Sequence, residues 1–179
     1  IKLRYSPEAI LLARLSEKDD LASFNCEDED MNAFLKEDAL AQQQMFLNST
    51  ILLFYEGNLA GYCSNMADSI KLSLTEKEEE ELNVRFSEFP AIKIGRLGVD
   101  KNYISRGFGQ LLVDLVITMA EDMNRSTNWD SSLGVRFVTL DALPGRVEYY
   151  QRRGFAVNMD SKYQGKKRRT ISMRCDIFS

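Results

Sequence analysis

The chain contains no histidine. That removes the Ser-His-Asp and Cys-His nucleophile systems and every His-ligated zinc site. Acid–base work is left to Glu, Asp, Tyr, Lys, Cys, water or backbone. Cysteine is sparse. Cys26, Cys63 and Cys175 are odd in number and far apart, which is neither a disulfide framework nor a CxxC metal knuckle. Such thiols read as small apolar side chains in or near the core, and no metal is expected. Proline is limited to Pro7, Pro90 and Pro144, so nothing demands a domain boundary. The 179 residues suggest one domain, 1–179, with a real hydrophobic core. No apolar run approaches the roughly 20 residues that span a bilayer. The opening Ile1-Lys2-Leu3-Arg4-Tyr5-Ser6-Pro7 lacks the charged start, apolar stretch and cleavage site of a signal peptide. The expected location is the cytoplasm, with no membrane contact.

What is present is charge, unevenly spread. Residues 1–90 carry 18 acidic and 8 basic side chains, a net of −10, and residues 91–179 carry 9 and 15, a net of +6. Either an anionic ligand meets the C-terminal half, or two solvated faces differ in charge. The one compositional break is Thr75-Glu76-Lys77-Glu78-Glu79-Glu80-Glu81-Leu82, which reads as a charged, solvent-facing helix or an insertion before Pro90.

Periodicity predicts alternating elements. Asn25 to Gln44 reads as a helix capped by Asp28 or Asp30, with Met31, Phe34, Leu35 and Ala39 near helical spacing. Ser49 to Tyr55, the turn Glu56-Gly57-Asn58, and Leu59 to Met66 read as a β-hairpin. Ala91 to Val99 reads as a strand. Gly107 to Arg125 reads as a helix with Leu111, Leu112, Leu115, Val116, Met119 and Met123 on one stripe. A strand over Val135 to Leu140, a short helix over Gly145 to Arg153 and a strand from Gly154 come next. Ile171, Met173, Cys175 and Ile177 alternate, as in a last strand with one buried face. The class is α/β.

The informative junction is the strand ending at Val99, then Asp100 to Ser105, then Arg106-Gly107-Phe108-Gly109-Gln110, then the long helix. Glycines there let backbone N–H groups face outward. The helix start adds unpaired donors and a positive dipole end, suited to phosphate. Arg106 can add a charge-assisted hydrogen bond. The bland alternative is a tight turn whose glycine allows close helix–strand packing. A dinucleotide fingerprint fails, because its third glycine falls on Leu112. A Walker A loop fails too, because Gly165-Lys166 is followed by Lys167.

Three pieces in register resemble the GNAT acetyltransferases: Gly95-Arg96-Leu97-Gly98-Val99-Asp100, then Arg106-Gly107-Phe108-Gly109-Gln110-Leu111-Leu112, then Tyr150-Gln151-Arg152-Arg153-Gly154-Phe155. The resemblance implies a GNAT fold: one mixed, mostly antiparallel central sheet, splayed in the middle, with helices on both faces. It implies transfer of an acetyl group from acetyl-CoA to a primary amine, small or macromolecular. Leu97, Gly98 and Val99 would hold the pantetheine arm through backbone groups, and Ser105 to Gln110 the pyrophosphate. Tyr150 takes the family position of the general acid that protonates the departing thiolate. Two positions depart from the family pattern: its leading Gln or Arg falls on Ile104, and its Asn on Leu143. Arg106 and backbone N–H groups are therefore expected to hold the pyrophosphate. Glu88, Asp68 and Asp100 are available as bases, and nothing in the sequence places them.

Leu21-Ala22-Ser23-Phe24-Asn25-Cys26, Met31-Asn32-Ala33-Phe34-Leu35, Ala39-Leu40-Ala41-Gln42-Gln43 and Asp141-Ala142 are similar to the GNAT branch of tRNA-acetylating toxins. That narrower resemblance implies aminoacyl-tRNA as acceptor and a ribbon-helix-helix antitoxin as partner. The run Lys166-Lys167-Arg168-Arg169 either touches phosphate or forms a solvated hairpin turn. A non-catalytic module binding acyl-CoA or a partner stays open, as does oligomeric state, a homodimer included.

Overall fold

The computed structural model describes residues 6–165 and 168–178. Lys166 and Lys167 of the basic run lie outside the described residues. The chain forms two compact units. The first takes in the chain up to Met66 together with Ile94–Leu115, and the second Ala67–Lys93 together with the chain from Val116. Seven strands are joined in the order β1-β2-β3-β4-β5-β7-β6.

In the first unit, β1 (Ile10–Arg14) pairs antiparallel with β2 (Ser49–Tyr55), and β2 with the first eight residues of β3 (Asn58–Lys71), whose last five belong to the second unit. The hairpin predicted at 49–66 is present, and its second strand runs five residues further. Glu56 and Gly57 both carry positive φ, 50° and 79°, as a two-residue hairpin turn requires. Strand β1 was not legible in the sequence, since Leu11 and Leu12 stay exposed on an edge strand.

The predicted N-terminal helix starts four residues later than its pattern suggested. Asp28 caps it by accepting the Met31 N–H. It runs as α1 (Glu29–Ala33), a π-helical stretch (Phe34–Asp38) and α2 (Ala39–Gln44). In the π stretch Ala39 N–H reaches back five residues to Phe34 O. Phe34, Leu35 and Ala39 then join Leu15, Phe24, Leu52, Leu59 and Tyr62 in one core.

In the second unit, β5 (Phe137–Ala142) and β6 (Phe155–Val157) both pair antiparallel with β7 (Ile171–Asp176). Strand β7 therefore has a neighbour on each side and is buried on both faces. The expectation of one buried face does not hold: Arg174, on the face predicted to be wet, is 2% exposed. Its guanidinium is met by Glu76 and Glu80. These belong to and follow the short helix α3 (Leu74–Glu79), which the sequence suggested would face solvent. The helix exists, but Glu76 is 2% exposed. Ser73 and Glu76 close a capping box at its start, a Ser-x-x-Glu signal readable in the sequence.

Strand β4 (Glu88–Val99) and helix α4 (Phe108–Arg125) follow their patterns within three residues. The buried stripe of α4 is Phe108, Leu112, Val113, Val116 and Ala120, while Leu111, Leu115 and Met119 are half-buried. The helix is thus rotated slightly from its predicted face. The short helix near 145–153 is a 3₁₀ turn (Pro144–Arg146) and α5 (Val147–Gln151).

Candidate active site

All nine residues predicted to hold the cofactor fall in the first unit. Strand β4 ends at Val99, and buried Asp100 fixes the turn after it. The Asp100 carboxylate accepts from Asn25 N–H at 2.8 Å and Asn102 N–H at 2.9 Å. That caps the 3₁₀ turn Lys101–Tyr103 and occupies both carboxylate oxygens. Asp100 is a structural cap and is not placed to serve as a base.

The chain then passes through Ser105 and Gly107, with φ of 67° and 97°. The second value lies where a Cβ is strained, so a glycine is required. Phe108 turns its side chain into the core, 5.2 Å from the Tyr55 ring and 6.0 Å from that of Tyr103. Its backbone alone can face a ligand. Arg106 is exposed, and its guanidinium lies 5.4 Å from the Tyr55 ring centre and 5.7 Å from that of Tyr103. The aromatic pair holds this cation beside the turn.

The two other glycines differ in purpose. A Cβ on Gly98 would come within 2.8 Å of the Tyr62 ring, so the bare residue there serves the core. A Cβ on Gly109 would lie 3.6 Å from Val99 Cγ2 and 3.8 Å from Leu97 Cδ2. These are ordinary contacts. They show that the helix start packs on the end of β4, and that the fold itself does not need position 109 bare. Gln110 donates to Asp114, and its Oε1 is buried without a hydrogen-bond partner among the described residues. An 18-residue helix thus begins with glycine, first-turn N–H groups and a stacked arginine. That arrangement suits a diphosphate.

At the two departures from the family pattern, Ile104 is 53% exposed and Leu143 is 59% exposed. Neither side chain is spent on the core.

Tyr150 belongs to the second unit, on α5. Its ring meets Tyr149 at 5.1 Å and Phe155 at 5.7 Å, both edge-on. Its hydroxyl has no hydrogen-bond partner among the described residues. Burial, with a smaller push from Tyr149, raises the phenol above its ordinary value. The proton is therefore held through neutral pH, as an acid requires. Tyr149 is engaged otherwise: Arg153 lies 3.5 Å over its ring and donates to its carbonyl at 2.6 Å.

The other two candidate bases separate. Glu88 is exposed, accepts from Ser69 Oγ–H at 2.9 Å and pairs with Lys162 at 3.5 Å. The Ser69 bond and then Lys162 hold its carboxyl below the usual range. Asp68 is half-buried and accepts the Thr139 hydroxyl at 2.8 Å. It opens on a cavity that sequence reasoning did not find, because its walls lie about seventy residues apart in the chain.

No family model matches the sequence, and no curated protein matches it either. Solved structures do. One described as a bacterial toxin aligns with a TM-score of 0.76 and 20% identity, over 94% of this chain and 91% of its own. AtaT complexed with acetyl-methionyl-tRNAfMet aligns at 0.73 and 17%, over 91% and 93%. A tyrosine-to-phenylalanine mutant of the AtaT toxin, bound to the C-terminus of the antitoxin AtaR and acetyl-CoA, aligns at 0.65 and 16%, over 93% of each chain. The fold is therefore the GNAT fold expected from the sequence. Among the described residues no helix is long and apolar enough to cross a membrane.

Proposed function

We propose that this chain is an N-acetyltransferase that moves an acetyl group from acetyl-CoA to a primary amine in the cytoplasm, with the amino group of aminoacyl-tRNA as the acceptor. One observation carries the reading. The bare turn Gly107-Phe108-Gly109 opens an 18-residue helix against the end of β4, with Arg106 stacked beside it. Proteins of the same fold support the donor and the acceptor: AtaT with acetyl-CoA and AtaT with acetyl-methionyl-tRNAfMet. The AtaT complex with the C-terminus of AtaR supports an antitoxin partner.

In this reading, first-turn N–H groups of α4 and the Arg106 guanidinium hold the pyrophosphate. The backbone of Leu97 to Val99 binds the pantetheine arm as an added strand would. Acetyl-CoA supplies the activated acyl thioester. The incoming amine forms a bond to the acyl carbon, the carbon–sulfur bond breaks, and the Tyr150 hydroxyl gives its proton to the thiolate. An ordinary tyrosine pKa of about 10 is near that of a thiol, and burial raises the Tyr150 phenol above it, which keeps the proton on the hydroxyl until the thiolate forms. An α-amine, with a pKa of about 8, is neutral often enough to attack with water taking its proton.

Isothermal calorimetry with acetyl-CoA, followed by free-thiol release with charged tRNA and with simple amines, tests this. Binding with thiol release on charged tRNA is expected. No binding at millimolar acetyl-CoA would refute the donor, and release with simple amines alone would refute the acceptor. Tyr150→Phe should keep acetyl-CoA affinity and lower kcat by about 10²–10⁴-fold.

A further inference from the structure

The second unit holds a cavity of about 200 Å³ that the cofactor turn does not use. Asp68, Lys93, Thr139, Asp141, Lys162 and Arg168 are in its wall. Pockets that bury drug-sized ligands run from about 300 to 1,000 Å³, so this one is too small for a nucleotide and fits a group the size of an amino acid.

Its charges are not equally satisfied. Lys93 and Asp141 neutralise each other at 2.7 Å. Lys162 turns to Glu88 at 3.5 Å. Asp68 is the exception. Thr139 orients one of its oxygens at 2.8 Å and the Ser69 N–H the other at 2.9 Å, yet Asp68 forms no ion pair among the described residues. A half-buried carboxylate held in place without a counter-ion favours a cation entering from outside. An ammonium brings three N–H donors to it. Arg168 lies over the Tyr163 ring at 5.6 Å and forms no ion pair among the described residues, so it can donate to an oxygen of the same ligand. An apolar group would instead strip water from these charges and repay nothing.

We propose that this cavity receives the α-ammonium and adjoining carbonyl of an amino-acid-sized acceptor, with Asp68 binding the ammonium until it gives a proton to water and attacks as the neutral amine, and Arg168 binding the oxygen. The assignment rests on the acetyltransferase reading, because it gives the cavity to the acceptor. A free amino acid and the aminoacyl end of a larger molecule share this chemistry.

The test is an NMR titration of ¹⁵N-labelled protein, without acetyl-CoA, using glycinamide, glycine and N-acetylglycinamide. Glycinamide is expected to shift the Ser69, Thr139 and Asp141 amides, and N-acetylglycinamide, which has no ammonium, is not. Glycine binding more tightly than glycinamide identifies a free amino acid as the ligand. The reverse order identifies an aminoacyl end. Asp68→Asn should weaken glycinamide at least tenfold while leaving acetyl-CoA affinity unchanged. Equal binding of glycinamide and N-acetylglycinamide to the wild-type chain overturns the proposal without any variant, as does an unchanged affinity in Asp68→Asn. Acetyl-CoA bound with glycinamide ignored defeats the cavity assignment alone. Glycinamide bound with acetyl-CoA ignored defeats the acetyltransferase reading alone.

Discussion

Replacing Arg174 with Met should be among the most destabilising single changes in the second unit. The guanidinium lies 2.6 Å from Glu76 and 2.9 Å from Glu80. It also donates to Val157 O at 3.2 Å and Asn158 Oδ1 at 3.3 Å. Glu76 in turn accepts from Met159 N–H and Ser73 N–H, each at 2.7 Å. One cation therefore ties α3 to the middle of β7. Met fills the volume but leaves Glu76 buried without a counter-ion. Removing one partner of a buried pair costs about 3–5 kcal/mol, out of a total of about 5–15 kcal/mol. At about 2–4 °C per kcal/mol for a chain of this size, Tm should fall by about 6–20 °C. Circular dichroism melts measure it. Adding Glu76→Gln removes the stranded charge while keeping an acceptor for Met159, so the double variant should recover at least half the loss. The coupling comes from a double-mutant cycle. A single variant melting within 2 °C of wild type (roughly 1 kcal/mol or less), or a double variant whose losses simply add, would refute the reasoning.

Further outcomes follow from the same structure. Gly107→Ala places a Cβ at φ 97°, at a cost of about 1–2 kcal/mol, and should lower Tm by about 2–8 °C. Gly109→Ala meets only ordinary contacts and should leave Tm unchanged in the same melts. Arg106→Gln should weaken acetyl-CoA about tenfold or more in calorimetry, since a charge-assisted bond contributes about 1.5–3 kcal/mol. Lys at that position should restore only part, because it loses the stacking on Tyr55 and Tyr103. Burial pushes the Cys63 and Cys175 thiols up to about 11. The fraction of thiolate at pH 8 is then on the order of one in a thousand. Mass spectrometry should find both unmodified by iodoacetamide in the native chain and alkylated after unfolding.

The elements that read correctly in the sequence are those whose signals are local. The hairpin at 49–58 announces itself through β-branched and aromatic residues and a Glu-Gly-Asn turn. The long helix shows through its apolar period, and the turn before it through Gly107, whose φ is positive. In each case the physics lies within a few residues: a φ that needs glycine, a cap that needs Asp28, a repeat that buries one stripe. Leu112, standing where a third glycine would be needed, and the segment Tyr150 to Phe155 point in the sequence to CoA rather than a dinucleotide.

Features that escaped the sequence depend on partners far along the chain. The pattern of β7 looked half-wet because Arg174 and Ser172 are polar, and polarity alone does not reveal a counter-ion 98 residues away. The glutamate run at 76–81 looked solvated for the same reason. Asp68 gained its meaning only when Thr139, 71 residues on, was brought against it. Sequence by itself determined the local geometry: where the chain turns, where the long helix begins, and which turn needs a glycine. Tertiary structure alone decided which charges are buried. Burial costs a charge far more than any local preference can supply, and only a specific distant partner makes it tolerable.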